Sequence, residues 1–368
     1  MKKVVILVDQ LHSHGGIEKL VSIKANYWSS VFGYSVTIVS TEQNNKPIIY
    51  PLNEAVFFED FAVNYDRAKS YFSFNNLVKF MFNCIKIQLY IFREKPDFII
   101  VASHIPITYV LPFLIKGKTK IIKEFHFTKF FHSSNSLFSK IVNYIEARYD
   151  YLVVLSQEEK QFYKSKNAIV IPNPIEESSN FILQDFNKRP NVAVAMVRFA
   201  PVKRLEKMIS IWQKFIETNS DWKLNIFGST DSDYAQSLIE LVKLKGLENS
   251  IFFKGQTSQV LNELNEAKML LLTSEQECFP MCILEAQKAG VVVFSYDCPT
   301  GPRNSIQQDF DGFLIPFDDE KSFVNCMNIT VSNPEKMEFI SSNATRNAIN
   351  YSLSEVMNKW NNTIFVKS

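Results

Sequence analysis

The chain has 368 residues, too many for one comfortable hydrophobic core and enough for two domains of about 150 to 200 residues each. With 46% apolar and 21% charged residues and no low-complexity tract it can bury sizeable cores, which excludes extended disorder. The net charge of +2 hides an asymmetry, because residues 1–175 hold 21 Lys and Arg against 14 Asp and Glu while the remainder holds 19 against 24.

Short runs rich in Val, Ile and Phe at 3–8, 35–40, 97–102, 120–125, 151–155 and 168–171 alternate with helix-length amphipathic segments. This alternation predicts a parallel sheet with crossover helices. Residues 98–115 carry no charged side chain, but Pro106 and Pro112 argue against a membrane span, and the stretch divides into a strand over 98–102 and a helix over 105–115. After Pro172-Asn173-Pro174 the pattern pauses through a polar linker near 172–190 and restarts with strands at 192–197, 223–227, 250–253, 269–273 and 291–295. A helix over 204–219 places Leu205, Met208, Ile209, Trp212 and Ile216 on one face. Two doubly wound α/β domains follow, over 1–175 and 190–350. A last helix near 353–365 lies in a tail, 351–368, expected to pack back toward the first domain.

Cys84, Cys278, Cys282, Cys298 and Cys326 form no CxxC pair and no zinc spacing, so a reducing, cytoplasmic compartment is expected. Met1-Lys2-Lys3 precedes only five apolar residues before Asp9, too few for a signal peptide's apolar region. Between Lys116 and Arg148 seven basic residues face two acidic ones, interleaved with Phe125, Phe127, Phe130, Phe131 and Phe138. That suits peripheral contact with an anionic membrane or an anionic acceptor, and equally an ordinary solvated face. No nucleic-acid recognition motif accompanies it.

Three segments carry chemistry. Gly15-Gly16-Ile17-Glu18 opens a helix after the first strand, offering backbone N–H groups to an anion, although a tight turn without ligand satisfies the same pattern. It is neither GxGxxG nor a Walker loop, which removes support from NAD and ATP. Arg198 and Lys203 follow the strand at 192–197, where a fork and a point charge can neutralise a diphosphate or simply sit on the surface. In Ser274 to Ala286, Pro280 is expected as the first helical residue, leaving Glu277 in the loop and Glu285 on the second turn. Eight residues separate these carboxylates by about 12 Å along a helix axis, too far for a glycosidase pair, so they are read as binding hydroxyls.

Taken in order, Gly15-Gly16-x-Glu18, Phe125-His126, Pro172-Asn173, Arg198 with Lys203, and Glu277 with Glu285 resemble the retaining glycosyltransferases of the GT-B fold, family 4, over nearly the whole chain. The resemblance implies two Rossmann-like domains facing a cleft, and transfer of a hexose or N-acetylhexosamine from a nucleotide sugar. It implies that Gly15, Gly16, Arg198, Lys203, Glu277, Cys278, Phe279 and Glu285 hold the donor, with Glu277 on its sugar and Glu285 on its ribose. His126 acts beside the reacting centre, and Glu18, His104, Asn173 and Gly228 are further positions expected near the cleft; His132 is expected on the surface. Cys278 replaces the usual Gly after the first Glu, and Asn304 a common Glu. The segment Cys298-Pro299-Thr300-Gly301-Pro302 is similar to that of bacterial enzymes building surface polysaccharide, which implies a UDP-sugar and a lipid-linked or polysaccharide acceptor of lipopolysaccharide, O-antigen or capsule type. No metal is required on this reading, and Asp231-Ser232-Asp233 is read as a helix cap. A non-catalytic nucleotide-sugar-binding protein and a GT-B nucleotide-sugar epimerase are the alternatives.

Overall fold

The computed structural model describes residues 1–129, 137–163, 165–176 and 181–366. They fall into two compact units, one comprising Met1–Pro174 with Val356–Ser368 and the other Ile175–Glu355.

In the first unit seven strands pair in parallel: β1 (Lys3–Val8), β2 (Ser35–Ser40), β3 (Val56–Asp60), β4 (Phe98–Val101), β5 (Lys120–Glu124), β6 (Tyr151–Val154) and β7 (Ala168–Val170). Their order is β3-β2-β1-β4-β5-β6-β7. Val4 to Val8 are all buried, as a strand covered on both faces by helices requires. The helices are α1 (Gly16–Ser30), α2 (Phe74–Glu94), α3 (Leu137–Glu146) and α4 (Gln157–Lys160).

The predicted helix over 105–115 does not form. Two short 3₁₀ turns, Pro106–Tyr109 and Leu111–Phe113, replace it, because each proline removes an N–H and clashes with the turn before it. Strand β3 was not anticipated; it lies at the sheet edge, leaves Phe57 exposed, and its short apolar run Ala55–Phe58 gives way to Glu59 and Asp60.

The second unit repeats the plan with β8 (Val192–Met196), β9 (Lys223–Phe227), β10 (Ile251–Gly255), β11 (Met269–Leu272), β12 (Val292–Tyr296) and β13 (Phe313–Ile315), all parallel. The order is β10-β9-β8-β11-β12-β13. Helices α5 (Leu205–Ile216), α6 (Asp233–Leu244), α7 (Val260–Asn265), α8 (Met281–Lys288), α9 (Glu320–Val331) and α10 (Pro334–Ala348) cover it. Leu205, Met208, Ile209 and Trp212 of α5 are fully buried in its core.

A last helix, α11 (Leu353–Trp360), contains the second boundary between the units. Beyond it Trp360, Ile364 and Phe365 are buried in the first unit. Trp28 meets the Trp360 ring at 5.4 Å and the Phe365 ring at 5.2 Å between centroids, and Phe98 meets Phe365 at 4.9 Å.

Candidate active site

In each sheet the chain reverses its winding direction beside the first strand, between β1 and β4 and between β8 and β11. The carboxyl ends of the strands flanking such a reversal leave an open crevice, because their connections depart to opposite faces.

In the second unit Arg198 leaves β8 exposed and makes no hydrogen bond or ion pair among the described residues. The chain then turns through Pro201–Lys203 into α5. Lys203 Nζ lies 2.5 Å from Glu277 Oε1, and Ser274 Oγ donates to the same oxygen at 2.7 Å. Thr273 Oγ1, from the exit of β11, donates to the Lys203 carbonyl at 3.0 Å. The strand ends on both sides of the reversal thus place an ammonium and a carboxylate together, with Arg198 at the exit of β8.

Two backbone features hold this arrangement. A Cβ on Gly228 would stand 2.2 Å from the Val197 carbonyl oxygen, so only glycine lets the β9 exit approach the loop carrying Arg198. Gly301 has φ +65°, and a Cβ there would meet Glu277 Cβ at 2.6 Å. Its neighbour Thr300 is buried with φ +60° and ψ −168°, a conformation that costs an L-residue energy, and its hydroxyl donates to the Glu277 carbonyl.

Glu285 lies half-buried on the second turn of α8, and Pro280 caps that helix from outside with ψ 112° rather than starting it. The Cys282 thiol is pushed up to about 12 by burial and then by the charges of Glu277 and Glu285, which places both carboxylates around one side chain. Burial and Glu277 do the same to Cys298, also at about 12, so neither thiol is a nucleophile at neutral pH. Cys278 is buried, and the Phe279 ring packs on Tyr351 at 5.8 Å.

In the first unit His126 follows β5 with its ring 7% exposed. Its Nε2 is 3.8 Å from Glu124 Oε2, too long for a hydrogen bond, and both atoms are buried without a partner among the described residues. The other Glu124 oxygen is bonded to Lys24 Nζ of α1, and both side chains are buried. Burial alone would raise the Glu124 carboxyl; the Lys24 ammonium and the neighbouring imidazole outweigh it and hold it at about 2. Lys24 also faces the Trp360 ring at 5.3 Å.

A cavity of about 580 Å³ opens beside His126, lined also by His104, Tyr109, Lys123, Phe125 and Lys129. His104 Nε2 is 3.1 Å from the Tyr109 hydroxyl. Burial lowers Lys123 to about 8, against the pull of Glu146. Of the basic run 116–148, Lys123 therefore turns inward, and Lys116 and Lys120 share Asp150, so the expected continuous basic face is interrupted. Phe130, Phe131 and His132 lie outside the described residues.

Gly15 caps α1 and Gly16 begins it, as the helix signal implied. The Glu18 carboxylate folds back so closely that a Cβ on Gly15 would meet its Oε2 at 2.0 Å, and Gln10 Nε2 donates to it. Burial raises the Glu18 pKa. Nothing stands within 4 Å of a Cβ on Gly16, which leaves space over its backbone. Asn173 is buried at the end of the first segment of its unit.

Comparison with known proteins reaches both units. The family model for glycosyltransferase family 4 matches residues 14–179, and that for group 1 glycosyl transferases matches residues 178–347. The chain belongs to the GT-B glycosyltransferases. It is 24% identical over 99% of its length, and 100% of the relative's, to the amylovoran biosynthesis glycosyltransferase AmsD of Erwinia amylovora. It is 25% identical to the lipopolysaccharide 1,6-galactosyltransferase of Salmonella typhimurium, covering 91% of each chain. The fold is shared with Anabaena HepE, solved in complex with UDP and glucose, with TM-score 0.76, 16% identity and 100% of both chains covered.

Within this glycosyltransferase Lys203 pairs with Glu277 in the second unit, Gly228 packs against the loop that carries Arg198, and His104 and His126 line one cavity of the first unit. Glu124, Lys24 and Thr300 were not singled out in the sequence. Glu124 directly precedes Phe125-His126, and a carboxylate two positions before a histidine on a strand end was the available signal; Lys24 lies a hundred residues away and gave none. In Asp231-Ser232-Asp233 the serine, not an aspartate, caps α6 by accepting from the Ala235 N–H. Among the described residues no group of three His, Cys, Asp or Glu side chains could hold a metal ion, and no helix is long and apolar enough to cross a membrane.

Proposed function

We propose that this glycosyltransferase moves a hexose or N-acetylhexosamine from a UDP-sugar to a growing lipopolysaccharide, O-antigen or capsule acceptor in the cytoplasm, with retention of anomeric configuration and without a metal. The observation that carries the proposal is the Lys203–Glu277 ion pair beside the β8/β11 reversal, with Arg198 exposed at the exit of β8. A diphosphate arriving there finds a guanidinium fork and an ammonium. By drawing Lys203 away from Glu277 it frees the carboxylate to accept hydrogen bonds from sugar hydroxyls. Glu285, eight residues on, serves the ribose. These cations offset the charge that develops on the leaving diphosphate, which is the task a metal performs elsewhere.

In the first unit His126, whose Nε2 has no partner among the described residues and which lines the cavity, is assigned to a donor-sugar hydroxyl. Front-side attack follows, with the departing diphosphate taking the acceptor's proton. Relatives named for amylovoran biosynthesis and lipopolysaccharide galactosyl transfer support the acceptor class.

Thermal stabilisation by nucleotides in the presence of EDTA tests the donor. UDP at about 100 times its Kd should add about 2.7 kcal/mol, with GDP, ADP and NAD far behind. An equal response to GDP or ADP, or a response lost in EDTA and restored by manganese, overturns the donor or the metal-free part. Product NMR with the preferred UDP-sugar then reads the anomeric configuration, and inversion overturns retention. Free sugar formed without an acceptor identifies the epimerase.

A further inference from the structure

A surface helix ordinarily turns its apolar stripe to the core and its polar side chains to water. Helix α2 is apolar on both faces, with Ile87, Tyr90 and Ile91 packed in the core of its unit. Its buried face includes Asn76 and Asn83, each 0% exposed and tied to Asp66, Ser70 and Tyr65 by hydrogen bonds. Its outward face carries Phe74 (80% exposed), Leu77, Val78, Met81 (66%), Phe82, Ile85, Leu89 and Phe92. These follow one another at the three- and four-residue spacing of a single stripe, along 21 residues or about 30 Å of helix.

The stripe is continued by neighbouring elements. Gln88 bonds both the N–H and the carbonyl of Ile115, at 2.9 and 2.7 Å, which fixes the exposed Phe113 and Ile115 beside the helix. Phe113 stacks on Tyr144 of α3 at 6.4 Å, and Arg148 covers both rings. On α3 Leu137, Phe138 and Ile141 are exposed as well. Apolar surface of this extent is uncommon on a protein that meets only water.

From Arg67 to Arg93 there are five basic residues and no acidic one, of which Arg67, Lys69 and Arg93 pair with carboxylates outside that stretch. Lys79 and Lys86 donate only to the neutral carbonyls of Asn64 and Phe61, and with Lys118, Lys140 and Arg148 they make no ion pair among the described residues. These five unpaired cations beside an aromatic, aliphatic face are complementary to an anionic headgroup layer above acyl chains. Helix α2 is not apolar enough to cross a bilayer, and its exposed apolar stripe suits a helix lying in the plane.

We propose that α2, with the Phe113–Ile115 loop and α3, is the surface by which the enzyme docks on an anionic membrane, α2 lying parallel to it with its apolar stripe in the headgroup–acyl boundary. This goes beyond the transfer reaction and does not depend on which sugar is moved.

The full chain is sedimented with vesicles of phosphatidylcholine alone and with one-third phosphatidylglycerol, at about 50 mM and about 500 mM salt. Binding is expected to the anionic vesicles, weakened at high salt. The double variant M81E/I85E should retain its melting temperature, because both side chains are solvent-exposed, and lose at least about tenfold in partitioning. Lys118→Ala and Lys140→Ala should each cost about fivefold on anionic vesicles and nothing on neutral ones. Wild-type protein that stays in solution with anionic vesicles at low salt overturns the proposal. So does a wild-type dimer, seen by sedimentation velocity, that M81E/I85E converts to monomer while vesicle binding is unchanged; the face would then belong to a second copy.

Discussion

His126 and Lys203 belong to different tasks, and their loss should be distinguishable. Lys203 supplies one of two cations at the β8/β11 crevice, and a hydrogen bond to a charged group contributes about 1.5–3 kcal/mol. Lys203→Met should therefore weaken UDP binding by calorimetry about ten- to a hundredfold, whereas His126→Ala should lower turnover and leave UDP affinity nearly unchanged. Equal UDP affinity for Lys203→Met and the wild type would remove Lys203 from the donor site. Glu124 has no ligand in reach of this argument, yet it fixes the charge beside His126. Glu124→Gln strands the buried Lys24 ammonium, and breaking such a pair from one side costs about 3–5 kcal/mol. The pH dependence has a definite sign. The Glu124 carboxyl sits at about 2 in the folded protein against 4.5 ordinarily, so its contribution is complete above 4.5 and lost as pH falls toward 2. Denaturant titrations of wild type and variant should converge between those limits, and a gap that stays constant down to pH 3 contradicts the assignment.

Among the elements, the strands that run through the middle of each sheet were legible because burial on both faces demands uninterrupted apolar runs. Edges were not. Val56–Asp60 has its outer positions in solvent, and Phe313–Ile315 is only three residues long. The segment 105–115 reads as a helix by length and apolarity, but its two prolines leave only isolated turns. The placement of Arg198, Lys203, Glu277 and Glu285, the residues proposed for the donor, was readable since they follow strand ends or lie in the first turns of helices, places where ligand contacts concentrate. The supports were not, because Thr300 against Glu277 and Lys24 against Glu124 are joined only by folding. Gly228 is one such support whose role can be measured. Gly228→Ala would drive a Cβ onto the Val197 carbonyl, costing about 1–3 kcal/mol and displacing the loop of Arg198, so UDP affinity should fall together with stability. Stability lost with unchanged UDP affinity would show the loop to be anchored elsewhere.

At the scale of the molecule the two units are unequal in how the chain builds them, one continuous in sequence and the other assembled from both ends. Trp360→Ala removes a fully buried ring from the discontinuous unit, at a cost of about 3–5 kcal/mol. Scanning calorimetry should show the transition of that unit lowered while the transition that UDP raises stays in place. A single transition lowered as a whole would mean that the units unfold together. The same threading sets a schedule on the ribosome. Pro174 is made 192 residues before Val366, roughly 10–40 s earlier at ordinary elongation rates. Throughout that interval Trp28 and Phe98 lack the aromatic cover that Trp360 and Phe365 provide, while the residues of the second unit emerge in unbroken order. Of the two units the one begun first is thus completed last, and a ribosome that stalls over the codons for Val356–Val366 leaves the packing around Trp28 and Phe98 unfinished.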